Sequence, residues 1–255
     1  MNNIIPISAF SDNYIWAIPS TTGSELAVVD PGDAVPVLHY LDSHGLTLNA
    51  IVITHHHWDH TGGLPKLLER FPDVTIYGPE TISGINYPVK EGSKIHLQPQ
   101  NLSLEVIAIP GHTLDHIAYI GKGLVFCGDT LFSAGCGRLF EGTAEQMYHS
   151  LNKLKQLPDN TLVYCAHEYT LANLKFAHYI EPSNLDIKQK ISDVEQIREQ
   201  KLPSLPSTMA VEKKINPFLR SLEESVIKSI VEKSANNSQS NTEIFAALRK
   251  LKDQF

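Results

Sequence analysis

The sequence predicts a mixed α/β domain followed by an all-helical region, and three observations carry that expectation. Short apolar runs alternate with helix-spaced segments over residues 1–170, the pattern of strands covered by helices. Four of those runs end on a side chain able to bind a metal: 51–53 before His55, 102–109 before His112, 124–127 before Asp129, and 162–165 before His167. From Leu171 onward strand-like patterns stop and helical spacing takes over. The boundary is therefore expected at 170, with residues 171–255 as a helical domain.

Bulk properties narrow the class. At 42 % hydrophobic residues the chain can bury a sizeable core. Its net charge of -7 is unevenly spread: residues 1–170 hold 8 Lys+Arg against 17 Asp+Glu (-9), whereas residues 171–255 hold 13 against 11 (+2). No basic face suited to nucleic acid results, and bound divalent cations would offset part of the acidity. No apolar run approaches the ~18 residues of a membrane span. The start, Met1-Asn2-Asn3-Ile4-Ile5-Pro6, lacks the basic and apolar stretches of a secretory leader, so a cytoplasmic protein is expected, as a monomer. Cys127, Cys136 and Cys165 are odd in number and lack zinc-ligand spacing, which favours buried thiols over a disulfide framework.

In chain order, residues 4–7, 14–18 and 26–29 read as short strands, the last closing on the turn sequence Asp30-Pro31-Gly32. Asp30 either starts that turn or orients a ligand histidine from behind. Residues 33–41 have helical spacing, and 51–53 form the next strand. That strand delivers Thr54-His55-His56-His57-Trp58-Asp59-His60, five potential ligands within six residues. Side-chain direction repeats every second residue in extended backbone, so His55 and His57 can face the same way. The spacing differs from His-Glu-x-x-His, which needs a helix, and a turn is expected here. Helical spacing at 64–70 and a strand at 74–77 follow. Strands at 102–109, 124–127 and 162–165 then deliver Gly111-His112-Thr113, Gly128-Asp129-Thr130 and Ala166-His167-Glu168. Further helices are expected at 145–156, 171–179, 185–200, 222–232 and 243–252, with 202–217 as a proline-containing connection.

Taken one at a time, these histidines and acids are ordinary capping or surface residues. As a recurrence at strand ends they form a constellation, because open α/β sheets place their sites just beyond strand termini. His55, His57, Asp59, His60, His112, Asp129 and His167 make seven donors, too many for one four- or five-coordinate ion. Two divalent ions at the ~3.5–4 Å spacing of two-metal hydrolases would use them all. Asp129, the acid outside the cluster, is the candidate bridge. His116 is left for a supporting role, and His56 is expected to point away.

The pattern Thr-His-x-His-x-Asp-His, followed by Gly-His-Thr, Gly-Asp-Thr and a last histidine after a strand, resembles the metallo-β-lactamase superfamily. The stretch Cys136-Gly137-Arg138-Leu139-Phe140-Glu141-Gly142-Thr143 narrows it, as do His167-Glu168-Tyr169-Thr170 and the terminal Lys252-Asp253-Gln254-Phe255. With these the chain resembles the glyoxalase II (hydroxyacylglutathione hydrolase) family from Asp12 to its last residue. The resemblance implies an αββα metallo-β-lactamase-like sandwich over residues 1–170 as the metal-binding catalytic domain, with residues 171–255 as the α-helical substrate-binding domain. It implies that His55, His57 and His112 hold one ion, that Asp59, His60 and His167 hold the other, and that Asp129 bridges. It also implies that Arg138, Tyr169, Arg249 and Lys252 contact the glutathione part of the substrate. Two positions depart from the family pattern: Phe140 stands where some relatives carry tyrosine, and Asp115 where glycine is common.

The expected reaction is hydrolysis of S-(2-hydroxyacyl)glutathione, such as S-lactoylglutathione to lactate and glutathione, in methylglyoxal detoxification. The nucleophile would be a hydroxide shared by two divalent ions, zinc first, with iron or manganese also compatible with these donors. Alternatives are another hydrolase of the same fold, such as a lactonase or a different thioesterase, and a metal-binding module without catalysis.

Overall fold

The computed structural model describes residues 4–234 and 240–255. Met1 to Asn3, part of the stretch read above as lacking a leader, lie outside the described residues. The chain divides into two compact units, Met1–Ala108 with Asp115–Gly128, and Ile109–Leu114 with Asp129–Phe255.

The first unit opens with the hairpin β1 (Ile5–Ala9) and β2 (Asn13–Pro19), paired from Ile5 opposite Ala17 to Ala9 opposite Asn13. β3 (Glu25–Val29) pairs antiparallel with β2. Helix α1 (Ala34–His44) crosses over to β4 (Thr47–Val52), which runs parallel to β3. α1 starts at Asp33, whose carboxylate accepts from the Val35 amide at 2.9 Å, and stops at Gly45, where φ of 65° suits glycine. The short helix α2 (Trp58–Thr61) and α3 (Leu64–Arg70) lead to β5 (Thr75–Gly78) and β6 (Tyr87–Pro88), both parallel additions. The sheet order is β1-β2-β3-β4-β5-β6.

Ala34, Val37 and Leu41 of α1 and Leu64 and Leu67 of α3 pack on one face of this sheet, against Ile15, Ala17, Leu26, Val28, Ile51 and Ile53. The alternate residues Trp16, Ile18, Ala27, Val29 and Val52 are buried as well. Both faces are therefore covered, which is why β3 reads as an unbroken apolar run rather than an alternating one. The unit is completed by β7 (Lys94–Leu97), β8 (Leu102–Ala108), β9 (Ile117–Gly121) and β10 (Leu124–Gly128), antiparallel in the order β10-β9-β8-β7.

In the second unit β11 (Leu131–Phe132) and β12 (Gly135–Cys136) form a small hairpin. α4 (Ala144–Lys155) begins in a capping box between Thr143 and Gln146. β13 (Leu162–Cys165) precedes α5 (Thr170–Ile180) and α6 (Leu185–Glu199), and pairs antiparallel with β14 (Ser207–Thr208). α7 (Met209–Ile215), α8 (Glu224–Ser234) and α9 (Asn241–Gln254) complete it, α9 starting in a Ser240–Glu243 capping box. Leu174, Ala177, Ile187, Val194 and Ile215 share one apolar cluster, and the rings of Phe176, Phe218 and Phe245 meet beside it.

Glu212 on α7 is fully buried and accepts from Ser133 Oγ at 2.9 Å, the Ala134 amide at 2.8 Å, Ser207 Oγ and Asn216 Nδ2. Asn216 in turn donates to the Phe132 and Gly135 carbonyls. Burial pushes the Glu212 carboxyl above its ordinary range despite these donors. One buried acid thereby ties the hairpin to α7.

Two expectations are corrected at this level. The ligand stretch is not a plain turn, since Trp58–Thr61 is one turn of helix. The connection at 202–217 contains α7, because Pro206 and Pro217 flank that helix instead of interrupting it. Among the described residues no helix is long and apolar enough to cross a membrane.

Candidate metal centre

In the first unit the donors are built from the ends of neighbouring parallel strands. β3 ends at Asp30 and β4 runs out through Ile53 to Thr54, so the two exits lie side by side. The Asp30 carboxylate accepts from the Thr54 amide at 2.8 Å and from Thr54 Oγ1 at 2.7 Å. Its Oδ2 lies 3.1 Å from His60 Nδ1. The Asp30 carbonyl also accepts from the Gly32 amide at 2.9 Å, so Asp30 both makes the turn and supports the histidines. Because the Thr54 hydroxyl donates to Asp30, it can only accept from His55 Nδ1, 3.0 Å away. His55 thus carries its proton on Nδ1 and keeps its buried Nε2 as a lone-pair donor.

The His55 ring lies 4.8 Å from that of His57 and 4.1 Å from that of His60. His57 stands at the N-cap of α2 with ψ of 144°, so it keeps the extended geometry that lets it share a side with His55. Asp59 is held by Asn13, whose Nδ2 donates to Asp59 Oδ2 at 3.1 Å. His116 is fully buried and stacks on His55 at 4.5 Å and 14°. His56 turns instead to Asp115, Nδ1 to Oδ1 at 2.9 Å, with 41 % of its side chain exposed. The carboxylate that departs from the family pattern is thus engaged by His56. Close backbone approach fixes the loop: a Cβ on Gly32 would fall 1.8 Å from the Asp59 carbonyl oxygen, and one on Gly128 2.4 Å from Thr54 Oγ1.

His112, Asp129 and His167 lie in the second unit. His112 Nδ1 donates to the Arg138 carbonyl at 2.8 Å, which again leaves Nε2 as the donor atom. One carboxylate oxygen, Asp129 Oδ2, lies 3.4 Å from His112 Nε2 and 3.3 Å from His167 Nε2. The His167 ring stacks on Tyr169 at 4.7 Å and 6°, and Phe132 packs edge-on against both. Phe140 packs edge-on against His112.

Of the residues read as substrate contacts, Arg138, Arg249 and Lys252 lie on or beside α9. Arg138 is two-thirds exposed, and its Nε lies 3.8 Å from Asp253 Oδ1. Arg249 is 4 % exposed. It donates from Nη1 to the Cys136 carbonyl at 2.9 Å and from Nε and Nη2 to Asp253 Oδ1, and its guanidinium lies over the Phe218 ring. Lys252 lies over the rings of Phe176 and Phe255. Burial, followed by the neighbouring Arg249 charge, pulls the Lys252 ammonium below its ordinary range. Tyr169 is partly exposed at 37 %. Sequence reasoning did not single out Asp253 as the counter-ion of this basic group. Its spacing of four from Arg249 on one helix was the available signal.

Residues 13–167 match the family model of the metallo-beta-lactamase superfamily, and the chain belongs to that superfamily. Residues 168–255 match the model described as the hydroxyacylglutathione hydrolase C-terminus. The hydroxyacylglutathione hydrolase 2 of Vibrio vulnificus (strain YJ016) is 50 % identical over 257 residues, covering 100 % of both chains. The hydroxyacylglutathione hydrolase of Aliivibrio salmonicida (strain LFI1238) is 53 % identical over 251 residues, 98 % of each. Among solved structures, ETHE1 from Myxococcus xanthus superimposes with a TM-score of 0.65 at 27 % identity, over 99 % of this chain and 98 % of that one. Within the superfamily, the chain belongs to the hydroxyacylglutathione hydrolase family. The expected fold class holds: a metallo-β-lactamase fold followed by a helical C-terminal region. That fold and the His and Asp donor groups imply divalent metal ions.

Proposed function

We propose that the chain hydrolyses S-(2-hydroxyacyl)glutathione thioesters, S-lactoylglutathione to lactate and glutathione. The observation that carries this reading is the near-50 % identity, over full length, to relatives bearing the hydroxyacylglutathione hydrolase name. The proposed ligand sets are His55, His57 and His112 for one ion and Asp59, His60 and His167 for the other, with Asp129 between them and zinc as the first candidate over iron or manganese. The donor chemistry fits, because His55 and His112 each commit Nδ1 to a protein acceptor and keep Nε2 for a ligand bond. Such ions, when bound, bring the pKa of a water toward ~7 and withdraw charge from a carbonyl oxygen.

The chain's own residues do the rest. Asp30 and Thr54 hold the His55 tautomer, and Asn13 aims the Asp59 carboxylate. Water loses a proton to solvent and adds to the thioester carbon, the C–S bond breaks, the sulfur leaves as thiolate, and the acid formed gives up its proton to solvent. A thiol with a pKa of ~8.5 needs no dedicated general acid, in keeping with the absence of a proposed one. Arg138, Tyr169, Arg249 and Lys252 are proposed to take the glutathione part, the cations facing its carboxylates. Arg249→Ala is then expected to raise KM about tenfold while kcat changes little, since the contact is remote from the reacting bond. An unfolding curve measured beside it separates that effect from loss of the Cys136 and Asp253 contacts. An unchanged KM removes Arg249 from the substrate site.

The direct test compares S-lactoylglutathione with a lactone and a phosphodiester on one sample whose metal content is measured by elemental analysis. Preferential thioester turnover with bound metal is expected, and faster lactone or phosphodiester turnover overturns the reading. The proposal extends to a cytoplasmic monomer. All three cysteines are buried and outside disulfides, which supports a reducing compartment, and sedimentation analysis tests the oligomeric state.

A further inference from the structure

The β1–β2 hairpin tip and the ligand helix α2 share an aromatic contact that the chemistry above does not use. Trp58, between the proposed ligands His57 and Asp59, is 68 % exposed, and Phe10 at the hairpin tip is 48 % exposed. Their rings meet at 4.9 Å and 68°, edge to face. Phe10 holds φ at 51°, a conformation that a bulky side chain rarely adopts. Burial does not explain the strain, since half of that ring faces solvent. Three residues further along the same tip, Asn13 grips Asp59 through both its carboxylate and its carbonyl, at 3.1 and 3.4 Å. The tip therefore holds the ligand helix with one side chain and props its exposed indole with another. Backbone strain of this kind is retained where the position of a group matters.

The proposed substrate has two parts. Its glutathione part is polar and anionic, and cations are proposed for it elsewhere. Its acyl part is one bond from the carbonyl that must reach the ligand loop. Trp58 is covalently adjacent to two proposed ligands, and its ring is open to a group that arrives from solvent.

We infer that Trp58, propped by Phe10, is a specificity-determining residue that packs against the acyl group of the thioester. This inference rests on the functional reading above. An apolar wall of this kind discriminates by the size of the group it covers, by about tenfold or more for a few carbon atoms.

The test uses the full-length, metal-loaded protein with S-formyl-, S-lactoyl- and S-mandeloylglutathione. Trp58→Ala is expected to lower the mandeloyl-to-formyl ratio of kcat/KM by about tenfold or more. Phe10→Gly suits the positive φ and removes only the prop, and it is expected to shift the ratio in the same direction by a smaller factor. A binding measurement without turnover stands beside these: Trp58→Ala should weaken S-hexylglutathione more than glutathione itself. Equal losses on all three thioesters, or equal weakening of glutathione and S-hexylglutathione, overturn the inference while the functional reading stands. A wild-type protein that hydrolyses none of the three overturns the reading and this inference with it.

Discussion

His57→Ala is expected to lower kcat/KM for S-lactoylglutathione by about a thousandfold or more, because loss of a mere outer-shell partner already costs 10–100-fold in metal affinity or activity. The substitution is well chosen for a clean reading. His57 is only partly buried and stands ahead of α2 rather than within the core, so its removal costs little packing. Its ring is 4.8 Å from His55, and its loss takes away a proposed donor while the Asp30–Thr54–His55 chain remains. Elemental analysis should show less than the wild-type metal content at an unchanged circular dichroism spectrum. Full turnover with metal retained would remove His57 from the centre, and full turnover in chelator-treated wild type would remove the metals from the reaction.

The second large effect is on stability, and lies away from the ligands. Arg220→Ala should destabilise the protein by about 3–5 kcal/mol, the cost of leaving a buried charge without its partner. The Glu181 side chain is 3 % exposed. It receives a two-pronged contact, Nε to Oε2 at 3.0 Å and Nη2 to Oε1 at 2.9 Å, with Ser225 Oγ adding a third donor at 2.6 Å. Burial alone pushes the Glu181 carboxyl up, but the Arg220 and Ser225 hydrogen bonds outweigh it and hold the carboxyl below its ordinary range.

The pH dependence follows from that direction. A carboxyl lowered in the folded state contributes stability that is complete above its unfolded pKa and is lost as pH falls through the lowered folded value. In Arg220→Ala the desolvation persists without the partner, so the dependence reverses and stability falls as pH rises past the ordinary carboxylate range. Urea titrations of both proteins across the acid range check the size and the sign. Parallel pH profiles in the two proteins would show that the pair is not the source.

The sequence exposed the strands and the proposed donors for a physical reason. Apolar runs buried on both faces stand out, and the side chains just past their ends are few. Residues 64–70 and 162–165 were read with the bounds that α3 and β13 show. What stayed hidden depends on partners distant in the chain. Glu212 looks like one more helical acid until Ser133 and Ala134, 79 and 78 residues away, close around it. Asp30 reads as a turn former, and only the parallel pairing of β3 with β4 brings Thr54 onto its carboxylate. Arg249 was legible as a cation, but its burial and its bond to the Cys136 carbonyl were not. Phe10 carried no periodic signal at all, since its importance lies in a backbone angle.

The side-by-side exits of β3 and β4 leave the rim of that sheet separable from its frame. The backbone ladder between the two strands ends at Val29 and Val52, before the donor residues begin. A transplanted loop bearing a different donor series in place of residues 54–60 would leave every rung of that ladder in place, provided Asp30 kept a hydroxyl and an amide to receive. Coordination chemistry could thus be exchanged in laboratory evolution without rebuilding the scaffold, whereas changes within the strands themselves would tax folding and leave the reaction class untouched.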